Sequence, residues 1–227
     1  MIVELKDIFK SYSEGEDNPR RNILDSFNLL INFDESISIV GPSGCGKTTL
    51  LNILGTLDKP DSGEVIFKGE LVTHMNDDQL SKLRAEKIGF IFQSHYLLPQ
   101  ISVIENVILP TLAVNRKQNN SIIFDEAESL LSQVGLKNQA HKFPSQLSGG
   151  EKQRVAIVRS LINKPNLVLA DEPTGSLDKS RGEDIIDLLK SLCVNNQTSL
   201  VVVTHDVEIA SQMKRRLCYK NYDFIES

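Results

Sequence analysis

Residues 41–48, GPSGCGKT, match the pattern GxxxxGK(S/T) and stand between the apolar, β-branched run SISIV (36–40) and the helical pattern TLLNILGTL (49–57). A strand, a glycine-rich turn and a helix in that order is the context in which this pattern holds phosphate, so the placement constrains the fold as much as the match does. Glycines let backbone N–H groups curl around phosphate oxygens, and the helix that follows presents its positive end. The same chemistry sends Lys47 to the β- and γ-phosphates and the Thr48 hydroxyl to Mg²⁺. The expected nucleotide cradle is Gly41, Pro42, Ser43, Gly44, Cys45, Gly46, Lys47, Thr48 and Thr49.

Runs like SISIV recur at IGFIF (88–92), NLVLA (166–170) and SLVVV (199–203), with helical patterns separating most of them. Near-continuous apolar strands of this kind fit a parallel sheet covered on both faces. Three of the runs end in polar residues, GPSG, DEPT and THD, and open α/β sheets bind ligands at the carboxyl ends of their strands. Asp171 then supplies a carboxylate for the metal, and Glu172 is placed to align and deprotonate an attacking water.

The first 70 residues read differently. IVELKDIF, ILDSFNLLI and GEVIFKGE are strand-like and separated by turn chemistry such as NP and DSG, which predicts a small antiparallel sheet beside the core. Between Gln93 and Lys164 the pattern turns helical, with Ala127, Leu130, Leu131 and Val134 at helical spacing, while NRKQNN (115–120) is the most loop-like stretch. The expected fold is α/β: a P-loop NTPase (RecA-like) core with a mostly parallel sheet, formed by 1–93 and 165–227 together with the antiparallel β subdomain. A helical subdomain, 94–164, is inserted into it.

LSGGEKQ (147–153) precedes an apolar helix, so Ser148, Gly149 and Gly150 lie at a second helix N-terminus suited to phosphate. One chain then carries two γ-phosphate sites and one nucleotide cradle. A head-to-tail homodimer reconciles them, each ATP lying between the phosphate loop of one copy and the 147–153 segment of the other.

With these motifs in this order, the chain resembles the nucleotide-binding domains of ABC transporters nearly end to end. The resemblance implies that Tyr12 stacks on adenine and that Gln93 meets Mg²⁺ and the membrane partner. It implies that Asp178, in GSLD (175–178), crosses the dimer interface, and that His205 holds the γ-phosphate and the water. Glu172, His205, Lys47 and Gln93 are thus the expected catalytic set, and Thr48, Gln93 and Asp171 the metal set, with ATP and Mg²⁺ as cofactors. Within the family the longer stretches look most like the lipoprotein-releasing type, with macrolide-exporter and cell-division types as relatives. The implied partners are integral membrane permease subunits.

Four departures from the family pattern stand out: Cys45 for the common Ser, Asp34-Glu35 for a Gly-Glu turn that Asp tolerates, Lys152 for a frequent Gln, and a tail without an Asp-Gly hairpin. The thiol of Cys45, beside Lys47 and a helix N-terminus, is expected either to react with alkylating reagents under ATP protection or to be an inert loop filler. Tyr96, Leu97, Leu98, Ile101, Val103, Ile104 and Val107 either form a groove for a helix of the membrane partner or pack inside the helical lobe. His74, His95 and His141 match no family motif.

The apolar runs fall far short of the roughly 20 residues that span a bilayer, and Glu4, Lys6 and Asp7 sit where a signal peptide needs an apolar stretch. Cys45, Cys193 and Cys218 form no CxxC pair and suit reduced thiols. The expected location is peripheral, on the cytoplasmic face of the inner membrane. A net charge of -5 without basic runs gives nucleic acid no electrostatic support, so an ABC-type ATPase acting on ribosomes or DNA is the remote alternative.

Overall fold

The computed structural model describes residues 1–13, 20–114, 119–220 and 223–226. The chain divides into two compact units, Met1–Ser81 with Ser199–Ser227, and Lys82–Thr198.

In the first unit, β1 (Val3–Tyr12), β2 (Arg21–Ile31), β4 (Ser62–Phe67) and β5 (Glu70–Leu71) form an antiparallel sheet in the order β2-β1-β4-β5, as the strand-like runs predict. The nucleotide-cradle region rests on a second set of strands. β3 (Ser36–Val40) lies parallel between β8 (Ser199–Thr204) and β9 (Arg215–Lys220), and β10 (Asp223–Glu226) pairs antiparallel with β9. Ile37 and Ile39 are fully buried, and Ser38, buried between them, donates its hydroxyl to the Ala210 carbonyl at 3.0 Å. Asp34 takes a φ of 55°, the left-handed conformation its turn needs. α1 (Lys47–Leu54) buries Leu50, Leu51, Ile53 and Leu54, while α7 (Val207–Ser211) is capped by Asp206.

α2 (Asp77–Lys87) carries the chain from the first unit into the second. There β6 (Ile88–Phe92) and β7 (Leu167–Asp171) pair in parallel, from Ile88 opposite Leu167 to Phe92 opposite Asp171. The strand at NLVLA starts and ends one residue later than expected, so Asp171 is itself the last strand residue.

α3 (Val103–Ile108), α4 (Asn120–Gln133) and α5 (Gly149–Leu161) lie within the expected helical stretch, and α6 (Lys179–Asn195) follows β7. On α4, Ala127 and Leu131 are buried as their spacing predicts, and Leu130 is half-buried. The NP turn (18–19), residues 115–118 of the loop-like stretch, and Asn221, Tyr222 and Ser227 of the tail lie outside the described residues.

α5 packs hard against β6. A Cβ placed on Gly89 would come 2.3 Å from the Ser160 carbonyl oxygen, so the helix approaches the strand backbone directly and only glycine fits. Val103, Ile104 and Val107, three of the seven apolar residues after Gln93, are fully or almost fully buried and belong to the core of this unit. Their apolar character serves packing. Tyr96 and Leu98 are exposed, while Leu97 and Ile101 are half-buried.

Candidate nucleotide-binding and hydrolysis residues

In the first unit the parallel register sets Val40 opposite Thr204 and opposite Cys218. Gly41, His205 and Tyr219 are therefore the next residues at the carboxyl ends of three adjacent strands. The phosphate loop starts there. A Cβ on Gly41 would lie 2.7 Å from both the Cys45 sulfur and the Tyr219 Cβ. Gly46, the residue before α1, has a φ of 101°, and a Cβ there would lie 2.4 Å from Ile23 Cγ2, so neither backbone nor space admits another residue.

Lys47 is only 9% exposed, and its ammonium donates to the carbonyls of Gly41 at 2.7 Å and Pro42 at 2.9 Å. The charge is thus held inside the loop. Pro42, Ser43, Gly44 and Thr48 are exposed, and Thr49 is half-buried. From outside, Arg21 donates to the Gly44 carbonyl at 3.1 Å. Cys45 is 5% exposed and wedged beneath Gly41, so alkylation requires the loop to open.

Tyr12 ends β1 with 40% of its surface exposed, and its hydroxyl donates to Asp58 Oδ2 at 2.5 Å. Burial, and then the bond to Asp58, push the phenol above its ordinary value, which keeps that proton in place; the Thr49 side chain also bonds the hydroxyl. Lys10 lies 5.0 Å over the ring and donates to Asp58 Oδ1 at 2.9 Å and to the Lys59 carbonyl at 2.7 Å. Burial alone would raise the Asp58 carboxyl, but the bonds from Lys10 and Tyr12 outweigh it and hold it low. Asp58, which fixes both side chains, lies 46 positions from Tyr12 and 48 from Lys10, which no local pattern signals.

In the second unit Phe92 lies opposite Asp171, so Gln93 and Glu172 are neighbours at the ends of adjacent parallel strands. Glu172 has a φ of 46° and its carbonyl accepts from Gly175 N–H at 3.0 Å. A carboxylate residue held in a left-handed conformation is the kind of local strain that clusters at functional sites. A Cβ on Gly175 would come 2.8 Å from the Gln93 amide nitrogen, so the amide lies against that glycine.

Ser148 caps α5 in a box with Glu151, and Gly149 and Gly150 open the helix. Hydrogen bonds from the Ser148 hydroxyl and N–H, in that order, hold the Glu151 carboxyl below its usual range. Asp178 caps α6, accepting from Arg181 N–H at 3.1 Å.

Among the described residues no cluster of three or more His, Cys, Asp or Glu is arranged to hold a metal. No helix among the described residues is long and apolar enough to cross a membrane.

Residues 24–175 match the family described as ABC transporter. The "Lipoprotein-releasing system ATP-binding protein LolD" of Shewanella frigidimarina (strain NCIMB 400) is 42% identical over 220 residues, covering 97% of this chain and 90% of that one. The "Macrolide export ATP-binding/permease protein MacB" of Pasteurella multocida (strain Pm70) is 41% identical over 99% of this chain, which spans 34% of MacB. A solved dimeric cassette, MJ0796, in a post-hydrolysis state bound to ADP and Pi, superposes with a TM-score of 0.89 at 41% identity, covering 100% of this chain and 98% of that one. The chain belongs to the ABC transporter family, as one of its ATP-hydrolysing cassettes.

Proposed function

We propose that this chain powers lipoprotein release from the inner membrane, as a homodimeric ATPase on the cytoplasmic face that drives separate integral membrane permease subunits. The observation that carries this reading is the match to LolD along 97% of this chain and 90% of the relative. The dimeric form of the solved cassette supports pairing of two copies, and in this account the ATP is sandwiched between them.

In this account Tyr12 stacks on adenine, and the backbone N–H groups of the 41–49 loop, to which Pro42 contributes none, hold the phosphates together with Lys47. Thr48, Gln93 and Asp171 hold Mg²⁺, which when bound neutralises charge on the phosphate oxygens. Glu172 accepts the proton of the attacking water while His205 holds that water against the γ-phosphate. Ser148, Gly149 and Gly150 reach the nucleotide of the second copy, and Asp178 crosses the dimer interface.

A second reading, the ATPase of a macrolide-type exporter, is favoured by the MacB match over 99% of this chain. A cell-division complex is a further relative. Co-purification from detergent-solubilised native membranes, read by mass spectrometry, separates them. Four-span membrane proteins accompanied by lipoproteins support the first reading. An efflux adaptor or a regulator of cell-wall hydrolases replaces it, and recovery of ribosomal or DNA-bound proteins alone removes the transporter role.

A further inference from the structure

The chain leaving β6 makes an unusual turn. His95 N–H donates to the Phe92 carbonyl at 3.2 Å, closing a turn with Gln93 inside it, and His95 and Tyr96 follow with φ of 51° and 46°. His tolerates this conformation better than most residues, but two in succession, the second a bulky Tyr, persist only where the surroundings over-determine them. Tyr96 N–H bonds the Ser94 carbonyl, and the Tyr96 ring returns edge-on to Phe92 with centroids 5.3 Å apart. The remaining restraint comes from α5. Arg159 Nη2 donates to the His95 carbonyl at 2.5 Å and Nη1 to the Tyr96 carbonyl at 2.6 Å.

We propose that Arg159 is a positioning residue for Gln93, its guanidinium clamping the His95 and Tyr96 carbonyls so that the turn holding Gln93 has one conformation. The inference rests on the reading that Gln93 serves the metal and nucleotide.

The geometry supplies the reasons. One end of the turn is fixed by β6, where Phe92 is in register with Asp171, and the other end is fixed by Arg159. Gln93 lies between them, its amide against Gly175. A planar fork bridges two carbonyls at once, which an ammonium on a flexible stem does not do. Burial holds the guanidinium below its ordinary value, and its bond to the His95 carbonyl is part-buried, where water competes less than it does at the exposed bond to Tyr96. Arg159 is in the last turn of the same 13-residue helix whose first turn carries Gly149 and Gly150. A displacement of that helix at either end therefore reaches the Gln93 turn.

The test is a double-mutant cycle on the full chain, with Arg159→Met, Gln93→Ala and their combination, reading kcat, KM for ATP, the Mg²⁺ concentration for half-maximal turnover, and the thermal midpoint. Arg159→Met is expected to lower kcat about tenfold and raise the Mg²⁺ requirement, with KM for ATP changed less than about twofold. In the Gln93→Ala background the same substitution is expected to change kcat and the Mg²⁺ requirement by less than about twofold, because residues acting as a unit are not additive. Arg159→Lys keeps the charge but loses the fork, and is expected to recover only part of the loss; it replaces the Met variant in the cycle if that variant fails to fold.

The same factor in both backgrounds overturns the proposal, as does wild-type kcat and Mg²⁺ dependence in both Arg159 variants. Wild-type turnover in Gln93→Ala alone instead overturns the reading of Gln93, which separates the two failures.

Discussion

The Glu151 carboxylate accepts from both the hydroxyl and the backbone N–H of Ser148, at 2.7 and 2.8 Å, and the Ser148 oxygen accepts from Glu151 N–H at 3.4 Å. This closes the first turn of α5 on itself. It also means that the hydroxyl proposed to reach the second nucleotide already has an anionic partner inside its own chain.

Glu151→Ala is expected to cost about 0.3–1.5 kcal/mol of stability at neutral pH, while Gln, which preserves the box, costs less. Because Ser148 holds the carboxyl below its ordinary value, the contribution is complete above about pH 4.3 and is lost as pH falls through the folded value. Denaturant melts of wild type and both variants check this. Equal stability of all three at neutral pH contradicts it.

Tyr12→Ala removes the ring proposed to stack on adenine. Stacking of a base on an aromatic side chain is worth about 1–3 kcal/mol, so the Kd for ATP should rise about 5–150-fold by calorimetric titration. Asp58→Ala keeps the ring but releases its hydroxyl and deprives the nearly buried Lys10 of its closest carboxylate, 2.9 Å away. A smaller loss of affinity together with a lower thermal midpoint is expected. Unchanged affinity in Tyr12→Ala removes the adenine role.

His95 provides a pH test. Burial first, then the charges of Lys152 and Arg159, push its imidazole below the ordinary value. The unfolded chain takes up this proton near pH 6.5, and the folded chain at lower pH. Stability contributed by this group is therefore complete above about pH 6.5 and is lost as pH falls toward the folded value. His95→Asn, which tolerates the left-handed backbone, should lose less in thermal midpoint than wild type between about pH 7.5 and 5.5. Equal losses contradict the argument.

Much of the fold is legible in the sequence because β3, β6 and β8 are near-continuous apolar runs ending at glycine or turn residues. The phosphate loop is legible because each position of its motif has a steric or electrostatic reason, as Gly46 against Ile23 illustrates. What the sequence conceals is of two kinds. Apolar identity does not separate core from surface, so Val103, Ile104 and Val107 read the same as the exposed Tyr96 and Leu98. Long-range polar pairing leaves no local periodicity, so Lys10 with Asp58, and Arg159 with His95, emerge only when the chain is folded. The left-handed backbone of Glu172 is instead local, set by its turn with Gly175, and hydrophobic periodicity does not mark it.

The most direct test of the central claim is ATP turnover by Glu172→Gln, with its oligomeric state followed by sedimentation in the presence of ATP. The account predicts that the variant binds ATP, accumulates as a dimer and loses about 10²–10⁴-fold in turnover, because the group that takes the proton from water is gone. Wild-type turnover in this variant would contradict the account and remove Glu172 from its assigned role.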